Sequence, residues 1–183
     1  MSPLIESIRE WHDTYMLFGT ASATLIGLLF VAASVGSSFF NQEKHPALRA
    51  FLSPSLVHFT CVLAACLIVI SPLRSSLLLG GLIVGDGLFG MLYVGLVWRS
   101  MVRHGFSATI DLEDRMWYAA LPPVGYVIMV AAGATLVQQI DSGCAVLAVA
   151  MGSLTLVGIR NAWDMTVWTV VRTPGLINDR DSV

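Results

Sequence analysis

The chain has 183 residues, of which 56% are hydrophobic and only 12% charged, and its formal net charge is -2. Soluble domains carry roughly a quarter charged residues, so this balance excludes an ordinary soluble domain. With no basic stripe there is no footprint for a nucleic-acid partner.

A spanning helix needs about 20 predominantly apolar residues. Runs of about that length recur at 15–35, 56–73, 77–98, 117–137 and 144–171. They predict an all-α, polytopic membrane helix bundle: one integral domain over 1–183, in the lipid bilayer, with five transmembrane helices. The polar remainder is too short to form a separate soluble domain.

Ser2 and Pro3 read as an N-cap and first helical position, and Leu4, Ile5, Ile8, Trp11 and Tyr15 recur at helical spacing. Together with Glu6, Arg9, Glu10 and Asp13 they predict a short N-terminal interfacial helix, with Trp11 and Tyr15 at headgroup level. The acidic start is the reverse of a basic signal-peptide n-region, so the first span is expected to be retained.

In the first span Gly19, Ala23 and Gly27 repeat every four residues, with Ser34 on the same stripe and Thr20 and Thr24 beside it. Small residues at this spacing let membrane helices approach closely. The threonines can bond a neighbour or their own i−4 carbonyls. Segment 40–55 reads as a loop in which Pro46 starts a helix that bends near Pro54. His58 falls just inside the second span, which ends at Ser71-Pro72 before a tight turn with Arg74.

The third span holds the most informative residue. Asp86 sits mid-run, between Gly85 and Gly87, where a charge costs about 2.5–3.5 kcal/mol on insertion scales. It shares a helical face with Gly90 and Tyr93, while Gly81 and Gly85 form a separate strip for close helix approach. Burial disfavours a charged carboxylate, so Asp86 is expected to be a proton or cation site, a protonated or bonded side chain that pins helices, or the cap of a half-helix broken at the glycines.

Arg99, Arg103 and His104, followed by Asp111, Glu113 and Asp114, mark the longest loop. Pro122-Pro123 either bends the fourth span or begins it. In the last span Cys144, Ala148 and Gly152 form another small-residue stripe, and Arg160, Asn161 and Asp164 a polar cluster. Arg160 and Asp164 form an i,i+4 pair, at a depth that also permits contact with His58. The tail after Thr173-Pro174-Gly175 reads as poorly ordered.

Orientation follows from the basic residues. A five-span topology places Arg9 and Arg74 on one side and Lys44, Arg49, Arg99, Arg103, Arg115, Arg172 and Arg180 on the other. Seven against two predicts the N-terminus outside and the C-terminus cytoplasmic.

Cys61, Cys66 and Cys144 match no zinc or redox spacing, and no disulfide is expected. His12, His45, His58 and His104 lie on different elements, so no metal or cofactor is expected either. There is no P-loop, nucleophile elbow or HExxH, and no catalytic residue or enzymatic activity is assigned.

The segments Gly19–Ser34, GTASATLIGLLFVAAS, and Gly158–Asp164, GIRNAWD, resemble a family of small bacterial inner-membrane proteins of unassigned function. That resemblance implies a bacterial inner-membrane location and carries no site residues across. The residues themselves favour a small oligomeric channel or transporter for ions or protons, with Asp86 on the pathway and Arg160, Asp164, Asn161 and His58 at its cytoplasmic end. A modulator or assembly factor that binds another membrane protein through the small-residue faces is the alternative.

Overall fold

The computed structural model describes residues 3–39, 45–73, 75–103 and 120–172. Among them the chain is helical: α1 (Pro3–Glu10), α2 (His12–Phe39), α3 (His45–Ile70), α4 (Ser76–Arg103), α5 (Leu121–Val137) and α6 (Gly143–Arg172). Three stretches are long and apolar enough to cross a bilayer, His12–Val35, Ser76–Arg99 and Gly143–Asp164, and they make this a membrane protein. The apolar parts of α3 (Pro54–Ile70) and α5 are shorter.

Local chemistry explains the ends. Pro46 occupies the first turn of α3, where its missing N–H is not needed, and α3 continues through Pro54. Pro122 and Pro123 stand in the first turn of α5, and Ala120 before them already has helical backbone angles, φ −95° and ψ −42°. The predicted start of that span at 117, the charged loop from His104 to Arg115, Arg74, the 40–44 segment and the tail from 173 lie outside the described residues.

At the other end of α5 the chain closes a Schellman motif. Ile140 N–H donates to the Thr135 carbonyl at 3.0 Å and Gln139 N–H to the Leu136 carbonyl at 3.1 Å. Gln139 takes the left-handed conformation this requires, with φ of 57°.

The helices pack antiparallel in chain order, with α3 and α6 at the centre. α3 touches α2, α4 and α6; α6 touches α5, α3 and α2; and α4 packs most extensively on α5. Phe59, Val62 and Cys66 of α3 face a core completed by Leu147, Met151 and Leu154 of α6, and Cys66 Sγ lies 3.6 Å from Met151 Sδ. α2 is peripheral and leaves Leu17, Leu28, Phe30 and Val31 exposed.

Small residues decide the close approaches, though not along every predicted strip. Gly19 meets Cys66, whose Cβ stands 3.3 Å from where a Gly19 Cβ would be, and Gly152 meets Phe18 at 3.6 Å. Ala148 is buried. Gly27, Gly81 and Gly85, by contrast, would meet nothing within 4 Å, and Ala23 is exposed.

The approach of α4 to α5 runs instead through Gly80, Gly87 and Gly90. A Cβ on Gly87 would stand 2.8 Å from Val130, and one on Gly133 would stand 2.8 Å from the Gly80 carbonyl. The physical reason is angular. Residues 80, 87 and 90 share the face of α4 turned to α5, whereas 81 and 85 lie on its outer side.

Tyr15, near the start of α2, turns inward. It is fully buried and donates a 3.0 Å hydrogen bond to the Cys144 carbonyl, tying the start of α2 to the start of α6. Ser7 reaches the Asp141 carbonyl from α1, so the N-terminal helix lies across the same end of the bundle. The hydroxyls of Thr20, Thr24 and Ser34 bond the i−4 carbonyls of Met16, Thr20 and Phe30, at 2.8, 2.9 and 2.8 Å.

Candidate functional site

Three antiparallel helices carry polar side chains to one level. His58 lies 12 residues before the end of α3 at Ile70, Asp86 10 residues after the start of α4 at Ser76, and Tyr126 11 residues before the end of α5 at Val137. At 1.5 Å per residue these are depths of about 18, 15 and 16 Å from one end of the bundle. A hydrocarbon core is about 30 Å thick, so the three groups meet near its middle.

Two of these side chains are joined directly. Tyr126 Oη and His58 Nδ1 share a 2.8 Å hydrogen bond, and the rings stand 5.6 Å apart between centroids at 52°. Cys61, one turn beyond His58 on α3, stands in the electrostatic surroundings of both Asp86 and Tyr126. Tyr93 of α4 adds its hydroxyl to the electrostatic surroundings of Tyr126.

Gly90 makes this arrangement possible. A Cβ there would overlap the Tyr126 ring, so its absence lets α5 lay that ring against α4, one turn from Asp86.

The cluster is buried and only partly satisfied. His58 is 1% exposed and Tyr126 fully buried. His58 Nε2 and Asp86 Oδ2 are buried without a hydrogen-bond partner, as is Ser55 Oγ one turn away on α3. A buried polar atom left unpaired costs about 1–3 kcal/mol.

The predicted cytoplasmic group is built differently. Arg160 and Asp164 of α6 form an i,i+4 ion pair, with side chains 33% and 25% exposed. Arg160 lies 17 residues into α6, about 26 Å along its axis and close to the far edge of the core. Asn161 is almost fully buried at the same level. His58 is not joined to Asp164: its Nδ1 is taken by Tyr126 and its Nε2 has no partner.

The structure therefore brings Asp86 and His58 to one level of the bundle, which sequence patterning kept apart, and it adds Tyr126 and Cys61 beside them. Tyr126 is hidden in the sequence by an otherwise apolar run, and its only mark is the neighbouring Gly125. Cys61 follows His58 by three residues, a spacing that places both on one helical face.

A hydrogen-bonded phenol and imidazole with a carboxyl and a thiol nearby can hold and exchange protons, and the carboxyl can attract a cation. Compared with known proteins, the chain matches no family model, no curated protein and no solved structure.

Proposed function

We propose that this protein is a small oligomeric channel or transporter that moves ions or protons by way of an intramembrane carboxylate, Asp86. The observation that carries the reading is the mid-depth position of Asp86, with Oδ2 unpartnered and Cys61 and Tyr126 beside it. An ionisable group at that depth is costly, and such groups in membrane helices characteristically serve pathways or relays.

On this reading α3 and α5 also cross the bilayer, which gives five spans, with the N-terminus outside and the C-terminus in the cytoplasm. Pro54–Ile70 and Leu121–Val137 are short for a span, and both pack among the three long apolar helices. The positive residues at the Arg160 end support that orientation. The resemblance of the first and last spans supports a bacterial inner-membrane setting.

Several copies would meet through the apolar outer faces. Gly27, Gly81 and Gly85 have open space around them and suit close contact with another helix. The same observation favours a second reading, a non-catalytic modulator or assembly factor that binds another membrane protein there.

Reconstitution in liposomes separates the two. Proton, cation and anion fluxes are measured for the parent and for Asp86→Asn. Flux in the parent that Asp86→Asn abolishes supports the transport reading. A parent that carries nothing under any gradient, yet retains helicity and oligomer size and captures a stoichiometric membrane partner, favours the modulator.

A further inference from the structure

We infer that water enters the bundle along α3 from the Arg160 end and stops at the His58–Tyr126 pair. The mid-depth groups then communicate with one side of the bilayer only. Such a path goes beyond the transport reading and does not need it, because a modulator that carries nothing can be hydrated in the same way.

Three observations support it. The first is where buried polar groups fall along the bundle axis. Measured from the end where α3 stops and α4 and α6 begin, Ser22 and Asp86 lie about 15 Å deep, His58 about 18 Å, Ser55 about 22 Å and Asp164 about 32 Å. Each carries a buried side-chain atom with no hydrogen-bond partner. Among the described residues no such atom lies nearer that end.

The second is what fills that first stretch instead. Val62, Ala65 and Val69 of α3, Met129 and Leu136 of α5 and Leu147 of α6 are each 2% exposed or less. Cys66 turns its thiol to Met151 at 3.6 Å, and Tyr15 gives its hydroxyl to the Cys144 carbonyl. An interior of this kind stays dry, because a buried water needs about two to four polar partners.

The third is the line of groups on α3 beyond His58. Tyr126 takes His58 Nδ1 at 2.8 Å, and Nε2, on the other side of the ring, is buried without a partner. Ser55 stands three residues earlier on the same helical face, fully buried and unpartnered at Oγ. Another turn on, Pro54 has no N–H to give the carbonyl of Ala50. Carbonyls freed in this way within membrane helices are met by water or by neighbouring side chains. Asn161 of α6, 1% exposed and about 27 Å deep, stands at the level of this stretch.

The two halves of the interior thus differ in kind. A dry seal separates His58 from the Ser142 end, while donors and acceptors recur at each turn of α3 toward the Arg160 end. Immobilising a water costs less than leaving a buried donor or acceptor dry, so this second half is the one that is hydrated.

The test uses the full chain in right-side-out and in inverted membrane vesicles, with Ag+, an ion close to water in size, as the probe. Ser55→Cys, Arg99→Cys and Ser142→Cys are each treated from one side. Thiols left unreacted are alkylated after unfolding and located by peptide mass spectrometry. Arg99 and Ser142 are exposed at opposite ends of the bundle, so their variants report which end faces the probe. Ser55→Cys should be protected from alkylation only in the preparation that protects Arg99→Cys, and native Cys66 should be alkylated fully in both. Protection of Ser55→Cys from neither side, or from the Ser142 side, overturns the path. Protection of Cys66 from the Ser142 side overturns the seal.

Water-edited solid-state NMR of the parent gives a second readout that needs no variant. Magnetisation from water should reach the His58 ring nitrogens early and Val62, Met129 and Leu147 late. His58 signals that build up as slowly as those of Leu147 overturn the path. A parent that shows this hydration and yet carries no ion supports the path and overturns the transport reading alone.

Discussion

The Tyr126 ring occupies the volume that any side chain on residue 90 would need, so Gly90 and Tyr126 act as one packing unit between α4 and α5. The ring in turn delivers its hydroxyl to His58. Backbone approach on α4 and polar chemistry on α3 are thus linked through one aromatic residue.

Gly90→Ala should therefore destabilise by about 1–3 kcal/mol, the usual cost of overpacking, because the ring must leave its position. Gly81→Ala and Gly85→Ala add a methyl group to open space and should stay within about 0.5 kcal/mol of the parent. Equilibrium unfolding in mixed micelles measures all three. A weaker subunit association in Gly85→Ala, read by size-exclusion with the monomer fold unchanged, would assign the outer strip to contacts between copies.

Much of the scaffold is legible in the chain because 20-residue apolar runs leave little choice of structure. The Ser-Pro start and Pro46 also sit where helices begin, and α1 and α3 open there or within a residue. The angular facts are less legible. A helical wheel shows that 81 and 85 form one strip and 80 and 87 another, but not which strip meets a neighbour.

Long-range partners are hidden for a related reason. Tyr15 has the composition of an interfacial aromatic, and its acceptor at Cys144 lies 129 residues away. Tyr126 bonds His58 across 68 residues, so no local window joins them.

The Gln139 backbone gives a second prediction. A non-glycine residue in the left-handed region costs roughly 1–2 kcal/mol. Its side chain recovers little, through an exposed 3.1 Å hydrogen bond from Nε2 to Ser76 Oγ. Gln139→Gly should raise stability by about 0.5–1 kcal/mol, while Gln139→Ala, which keeps the strain and loses the bond, should lower it slightly. Opposite signs in the same unfolding assay are the expected pattern.

Tyr15 supports a third. Tyr15→Phe removes the donor to the Cys144 carbonyl while retaining the buried ring, and should cost about 0.5–1.5 kcal/mol. The loss should be local. Amide exchange should accelerate in α1 and the first turns of α2 and α6, with rates around Cys61 and Tyr126 unchanged. Uniform acceleration across all helices would place Tyr15 in the global core instead.

The Arg160–Asp164 pair tests whether the far end of the bundle behaves as a unit. An exposed i,i+4 pair contributes only a few tenths of a kcal/mol, and Arg before Asp is the less favourable order along a helix. These side chains are mostly sheltered, at 33% and 25% exposure, and Asp164 Oδ2 is buried without a hydrogen-bond partner. Removing one charge should therefore strand the other. Arg160→Gln should cost about 1–3 kcal/mol, and the double variant with Asp164→Asn should cost less than the sum of the singles. A coupling of about 0.5–1 kcal/mol is expected from the double-mutant cycle. A coupling of zero would mean that each charge is stabilised separately at the interface, and that the two side chains do not act jointly at the cytoplasmic end of a pathway through Asp86.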